Sequence, residues 1–388
     1  MDTLRAICCI SVSCAIYPYA VHPRAIDGAF QPRNNRQRMS KSADPCITRP
    51  NGRIFVLSDA LSEEDLSLVH ALQISPRASW TALGEVLQSS PAALAARWSR
   101  LRDAGLAWVT VHPMVRGPST QMAFVEVDCL PTHRDAVVAT LCRVPEILTI
   151  EVSARGRDLL LTVVTHDWFA LSELVLTRLQ VDGVLRHRTS LVTDIHLEAS
   201  DWRLDALSRG QALAVGRIEP PAPTVPTSVS AVETALIDPL AHDGRLGFAE
   251  LARLTQRNPA TVRRQFARLA GSRIMKFRCE ISQESSRWPI SCTWFCRVRP
   301  DHVSETAGLL QSIPEMRGCF STTGESNFMF IVWARSVKDL LRIEKKVAEA
   351  QPSLRFLDSA VAFATPKRIG WLLDRAGCTT GDVVVPAF

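Results

Sequence analysis

The chain has 388 residues, with 45 Lys and Arg against 39 Asp and Glu, a net charge of +6. At about 150 residues per domain, this length holds several domains and more than one core. Hydrophobic residues at 46% and charged residues at 22% exclude a chain disordered throughout. No run of about 18 apolar residues offers a membrane-spanning helix.

Residues 1–57 carry eight basic and three acidic side chains, which leaves 37 against 36 in the remainder. The global charge therefore says little about the folded part, and any nucleic-acid argument rests on local patches. Ala6–Val21 is apolar, but Asp2 offsets Arg5, so the segment makes a poor signal peptide. Residues 1–57 are expected to be a disordered or mis-annotated extension, with Met39 a competing start, and the protein is expected to be cytoplasmic. The eleven cysteines are odd in number and scattered, unlike a disulfide framework. Cys292 and Cys296 read as buried free thiols in a strand, and no metal site is expected.

The remainder is a duplication. Pro91 over Pro259 sets an offset of 259 − 91 = 168, which places Arg77 on Arg245, Trp80 on Phe248, Leu94 on Val262, Trp98 on Phe266 and Leu101 on Leu269. The expected divisions are 58–112 and 229–281 as helical heads, 113–210 and 282–375 as α/β sandwiches, 211–228 as a Pro-rich linker and 376–388 as a tail.

Each head reads as three short helices. Ser62 caps the first, Ser79 the second, and Ser90 with Pro91 opens the third, which ends at Gly105. Asn258 and Pro259 repeat that start. The short interval between helices two and three suits the steep crossing of a winged-type helix-turn-helix. Window 77–110 holds four basic and two acidic residues; the same window 168 later, 245–278, holds nine basic against Glu250 alone. Phosphate attraction grows with cationic contacts, so the second head is expected to grip DNA more strongly.

Each sandwich reads β-α-β-β-α-β, the ferredoxin-like split: Met122–Val127, Thr132–Arg143, Ile147–Val152, Leu159–Val164, Phe169–Leu179 and Arg188–His196 in the first copy, and Ser291–Val298, Val303–Ser312, Met316–Thr322, Phe328–Trp333, Val337–Ala350 and Arg355–Phe363 in the second. The fold class expected is α+β, a tandem repeat of head and sandwich. Two helices cover one sheet face; the other is apolar and needs a partner, which the second copy on the same chain can supply.

Residues 58–375 resemble two fused members of the Lrp/AsnC (feast/famine) family of transcription regulators. S-P-A-A-L-A-A-R-W-S-R-L-R-D-A-G-L, residues 90–106, is similar to the family's recognition helix and following turn, and N-P-A-T-V-R-R-Q-F-A-R-L, residues 258–269, repeats it. Gln265 stands where the pattern has Arg, and Arg273 where it has Gly. The family's glycine-acid hairpin resembles Gly156-Arg157-Asp158 and Thr323-Gly324-Glu325-Ser326-Asn327, neither with the pattern intact.

The resemblance implies double-stranded DNA as partner, a small-molecule effector such as an amino acid, assembly through the sandwiches, and no cofactor. The DNA-contacting candidates are Ser89, Ser90, Ala92, Ala93, Arg97 and Arg100, then Arg257, Asn258, Ala260, Thr261, Arg263, Arg264 and Arg268. The effector candidates are Gly156, Asp158, Thr323, Gly324 and Asn327; the turn-forming role of Asp158 and Asn327 is the competing reading. No nucleophile-base spacing, P-loop or dinucleotide motif is present, so no catalytic residue and no enzyme is expected. His166-Asp167 reads as a helix cap. Two alternatives are a siroheme-decarboxylase-like enzyme of the same architecture and an assembly module without DNA binding. The first calls for an Arg/His-rich run between head and sandwich, and Val109–Gln121 and Glu280–Pro289 show none.

Overall fold

The computed structural model describes residues 47–48, 54–55, 61–114, 119–153, 156–218, 231–272 and 274–387. The expectations for residues 1–46 and the character of Arg273 lie outside them. Two units are separated, Met1–Val56 and Leu57–Phe388. In the first, β1 (Ile47–Thr48) pairs antiparallel with β2 (Ile54–Phe55). Among the described residues, no helix is long and apolar enough to cross a membrane.

In the second unit, α1 (Glu63–Ile74), α2 (Trp80–Leu87) and α3 (Pro91–Asp103) form the first head. The hydroxyls of Ser62, Ser79 and Ser90 accept from Asp65, Ala82 and Ala93 backbone N–H groups, so each helix starts where its cap satisfies an orphan donor. Leu66, Val69, Leu72, Leu83, Leu94, Trp98 and Leu101 meet in one core. The second head differs at its first helix, split into α7 (Ala231–Thr234) and α8 (Ile237–His242). Pro239 is the cause: it lacks a donor and clashes with the preceding turn. Then α9 (Phe248–Leu254) and α10 (Pro259–Gly271) follow, with Asn258 accepting from Ala260 N–H. Gln88 and Gln256, 168 apart, both sit at φ 53° in the turn before α3 and α10. The two turns therefore repeat an unusual left-handed residue.

Strand β3 (Ala107–Pro113) leaves the first head and β8 (Met275–Ile281) the second, and they pair antiparallel with each other. Thr110 faces Arg278, again 168 apart. A residue opposite its own repeat equivalent places the pseudo-two-fold axis through that pair.

The first sandwich follows as β4 (Gln121–Cys129), α4 (Arg134–Cys142), β5 (Ile147–Ser153), β6 (Leu159–Thr165), α5 (Trp168–Glu173) running into a π turn at Leu174–Arg178, and β7 (Val184–Leu197). Asp167 caps α5, accepting from Ala170 N–H at 2.7 Å. The second sandwich is β9 (Ile290–Arg297), α11 (Val303–Gln311), β10 (Met316–Thr322), β11 (Phe328–Ala334), α12 (Val337–Ala350) and β12 (Arg355–Arg368). Strand β7 pairs with β4 of its own half and β10 of the other; β12 pairs with β9 and β5 likewise. The strands thus close a ring, β12-β5-β6-β4-β7-β10-β11-β9, whose eight members leave an interior that side chains fill or one small ligand occupies. Phe124, Leu160, Phe295, Phe320 and Met329 fill it, with Phe124 and Phe320 edge to face at 5.1 Å across the halves. The outer faces are covered by α4 and α5 on one side and α11 and α12 on the other. Cys292 and Cys296 lie buried in the second outer core, with burial raising their thiol pKa values.

Two segment expectations change. The linker's first residues form α6 (Arg209–Gly216), because Ser208 and Gln211 make a capping box and Val215 buries against the first head. The tail is ordered: β14 (Thr379–Val383) pairs with β13 (Trp371–Leu373), and Thr379 N–H donates to Gly105 O.

Candidate functional site

On the first head, Ser90, Ala92 and Ala93 are exposed and Ser89 is half-buried. Arg97 and Arg100 are engaged within the head: their guanidiniums reach the buried Asp65 carboxylate at 2.8 and 2.5 Å. Burial by itself raises the Asp65 pKa; hydrogen bonds from Arg97 and Ser62 N–H, with the Arg100 charge, hold it below the usual value. These two arginines staple α3 to the start of α1.

On the second head, Asn258, Ala260, Arg263, Arg264 and Arg268 are exposed, and Arg257 and Thr261 half-buried. Arg268 pairs with buried Glu233 at 2.5 Å, and Arg257 donates to Gln265 Oε1. Arg263 lies 5.3 Å from the Phe248 ring centre. No ion pair ties Arg263 or Arg264 to a carboxylate among the described residues. The basic window 245–278 is not one surface. Arg245 is half-buried and bonded to the first head, Lys276 pairs with Glu198 and Asp201, and Arg278 points into the interior.

The two hairpins resemble each other in detail. Asp158 accepts from Cys129 N–H at 2.8 Å and from Arg134 at 2.6 Å. Asn327 accepts from Val298 N–H and donates to Val298 O. Thr323 accepts from Leu191 N–H, and Gly156 and Gly324 hold φ of 74° and 109°. All five residues shape strand ends, and none of them lines the cavity that follows.

A cavity of about 130 Å³ lies where β3 and β8 meet the mouth of the ring. Its apolar wall includes Met122, Phe124, Val164, Phe320 and Ile331; its polar end has His112, Glu151, Arg278, Arg317 and Arg368. The three arginines are 9%, 5% and 6% exposed. Behind them Glu280 bridges Arg278 and Arg317. Burial raises the Glu280 pKa, and the three guanidiniums outweigh it and lower it. Burial pushes Glu151 upward, against the Arg368 charge and a hydrogen bond from Ser291. Burial, helped by Arg278, drops His112 to about 4, so the ring is neutral. Its Nδ1 sits 3.0 Å from Pro113 O, a pure acceptor, so Nδ1 carries the proton and Nε2 is left as acceptor. Trp333 lies beneath Arg317 at 3.5 Å and Arg368 at 5.0 Å.

Sequence reasoning missed this site because its charges come from four strands, not one run. One signal was present: β8 reads M-K-F-R-C-E-I, with Lys276, Arg278 and Glu280 at the two-residue period of a single strand face.

The model of the Lrp/AsnC ligand binding domain matches residues 122–201 and again 293–372. The chain carries two Lrp/AsnC ligand-binding domains. Two curated relatives are uncharacterised HTH-type transcriptional regulators. One, of Pyrococcus horikoshii, is 25% identical over 153 residues, 38% of this chain and 94% of its own length. The other, of Pyrococcus abyssi, is 24% identical over 139 residues, 35% and 87%. Among solved structures, siroheme decarboxylase NirDL has a TM-score of 0.51 at 10% identity, covering 79% of this chain and 93% of its own. This overturns the expectation of a non-enzyme: the fold across most of the chain is one that an enzyme uses. Neither junction segment holds an Arg/His run, but β3, β8, β10 and β12 bring His112, Arg278, Arg317 and Arg368 together in space.

Proposed function

We propose that this tandem Lrp/AsnC protein is a transcription regulator that binds double-stranded DNA through its two heads as a single-chain pseudo-dimer, under control of a small effector. The observation that carries the reading is the N-terminal half of α10. There Asn258, Ala260, Arg263 and Arg264 are exposed together, and the two arginines have no carboxylate partner among the described residues. A helix-turn-helix offers that part of its last helix to the major groove. The first head contributes chiefly Ser90, Ala92 and Ala93, small residues suited to close backbone approach. The heads differ, so the preferred DNA is asymmetric. Exposed Trp168, Phe169 and Leu176 on one outer face and Val337 and Leu341 on the other support assembly of chains through the sandwiches. Electrophoresis with DNA upstream of its own gene tests the reading; a folded protein that retards no such fragment at low salt rules it out.

A second reading, an enzyme of the siroheme-decarboxylase kind, is favoured by the His112 and arginine cluster at the head–sandwich junction. The cavity of about 130 Å³ is far smaller than a tetrapyrrole, so that reading needs the ring mouth to open. An absorbance band of a bound tetrapyrrole in the purified protein decides for it.

A further inference from the structure

The cavity at the pseudo-two-fold axis has an unfilled chemical demand. Three buried guanidiniums, those of Arg278, Arg317 and Arg368, share two carboxylates, Glu280 and Glu151. Glu198 also reaches the wall, less buried than these groups and paired with Lys276, which it shares with Asp201. A net buried positive charge is costly until an anion joins it. Two atoms point to that anion's shape. Arg368 Nη2 donates to Gln283, while its buried Nη1 has no partner; His112 Nε2, an acceptor, is buried and has none either. Most of the rest of the wall is apolar, interrupted by the hydroxyls of Thr149, Thr162 and Ser200. The volume is close to the roughly 150 Å³ apolar cavity that takes benzene.

We propose that this cavity binds one small monocarboxylate with an apolar body and a hydrogen-bond donor on the carbon beside the carboxylate. The carboxylate meets Arg368, the neighbouring donor meets His112 Nε2, and the body lies against Phe124, Val164 and Ile331. The proposal deepens the effector part of the function above. It moves the effector from the hairpins at Asp158 and Asn327 to the axis. It also fixes the stoichiometry at one per chain, where two hairpins predict two.

Calorimetry on the full chain without DNA tests it, so its outcome is independent of DNA binding. The probes are 2-hydroxyisovalerate, valine, isovalerate and isobutylamine. The expected result is saturable binding of the acids, one per chain, with 2-hydroxyisovalerate or valine tighter than isovalerate and no binding of isobutylamine. Which of the first two leads tells a hydroxyl donor from an ammonium. Arg368→Gln weakens the acids by about tenfold or more, as loss of a charge-assisted hydrogen bond does. His112→Leu removes the preference for 2-hydroxyisovalerate over isovalerate and leaves isovalerate bound. No heat and no thermal shift with any acid at millimolar concentration overturns the proposal. So does equal binding of the amine, or two sites per chain. These readouts use the unaltered protein and stand even if Arg368→Gln does not fold.

Discussion

Arg77 and Arg245 hold the two heads together by the same contact made twice. Arg77 donates to Gly244 O and Leu246 O, the carbonyls on either side of Arg245. Arg245 donates to Pro76 O and Ala78 O, the carbonyls on either side of Arg77. Each guanidinium also lies over an aromatic ring of the opposite head, Phe266 at 4.7 Å and Trp80 at 3.9 Å. Such reciprocity is what a two-fold interface requires, here inside one chain. Replacing either arginine by Met removes charge-assisted bonds and strands carbonyls, a loss of about 2–4 kcal/mol. The double variant costs less than the sum, because both arginines support the same pair of loops. Urea unfolding of the four proteins measures it; full additivity removes the coupling.

DNA affinity depends on salt through the second head. Arg263→Ala with Arg264→Ala lowers the slope of log affinity against log salt by about 1.8 in magnitude, about 0.9 for each phosphate contact. Stability stays close to that of the parent, since both side chains are exposed. Filter binding across a salt series is the measurement, and an unchanged slope removes α10 from the interface.

Arg97→Ala acts differently from that pair although it too lies on a recognition-type helix. It leaves the buried Asp65 with Arg100 as its remaining guanidinium and loosens the capped start of α1. The expected cost is about 1–2 kcal/mol of head stability with little change in salt slope. Thermal unfolding beside the same salt series separates the two effects.

How much of this was legible beforehand follows from how local each signal is. Ser62, Ser79, Ser90 and Asn258 announce helix starts within three residues of chain, and the duplication repeats the Ser90 start at Asn258. The ferredoxin-like order was also legible, because the alternation of β4 and the apolar run of β11 are properties of the strands themselves. The ring closure was half legible: an apolar second face calls for a partner, but the pairing of β7 with β10 and of β12 with β5 is set by packing. Charge counting along the sequence failed for Arg245, Lys276 and Arg278. A count over a window cannot tell an outward arginine from one buried at a symmetry axis. The cavity was illegible for the same reason, since Arg317 and Arg368 come from strands far from His112.

Trp98 and Phe266 are equivalent by position and unequal in burial. Trp98 is 5% exposed in the first head's core, whereas Phe266 is only partly covered, between Phe248 and Phe277. Trp98→Ala is expected to cost about 3–5 kcal/mol and Phe266→Ala distinctly less. Denaturant midpoints of the two variants give the comparison; equal losses mean that Phe266 carries more packing than its exposure implies.

Stability is expected to fall as pH drops from about 6.5 towards 4, through two buried imidazoles. His70 Nδ1 accepts from the N–H groups of Ala206 and Leu207, so a proton there breaks both bonds. Burial, with the Arg203 charge, lowers His70 from 6.5 to about 4, and His112 is lowered as far by burial and Arg278. Because the folded pKa lies below the unfolded one, the unfolded chain binds more protons in this window. Stability therefore rises with pH across it and is complete above about 6.5. Each histidine contributes roughly 3 kcal/mol between the two limits, at about 1.4 kcal/mol per unit of pKa shift. His70→Gln keeps an acceptor for one backbone N–H and removes that group's share of the slope, leaving the share of His112. Urea unfolding at pH 7, 6, 5 and about 4 checks the sign, and a stability flat or rising towards acid shows that neither ring is held neutral.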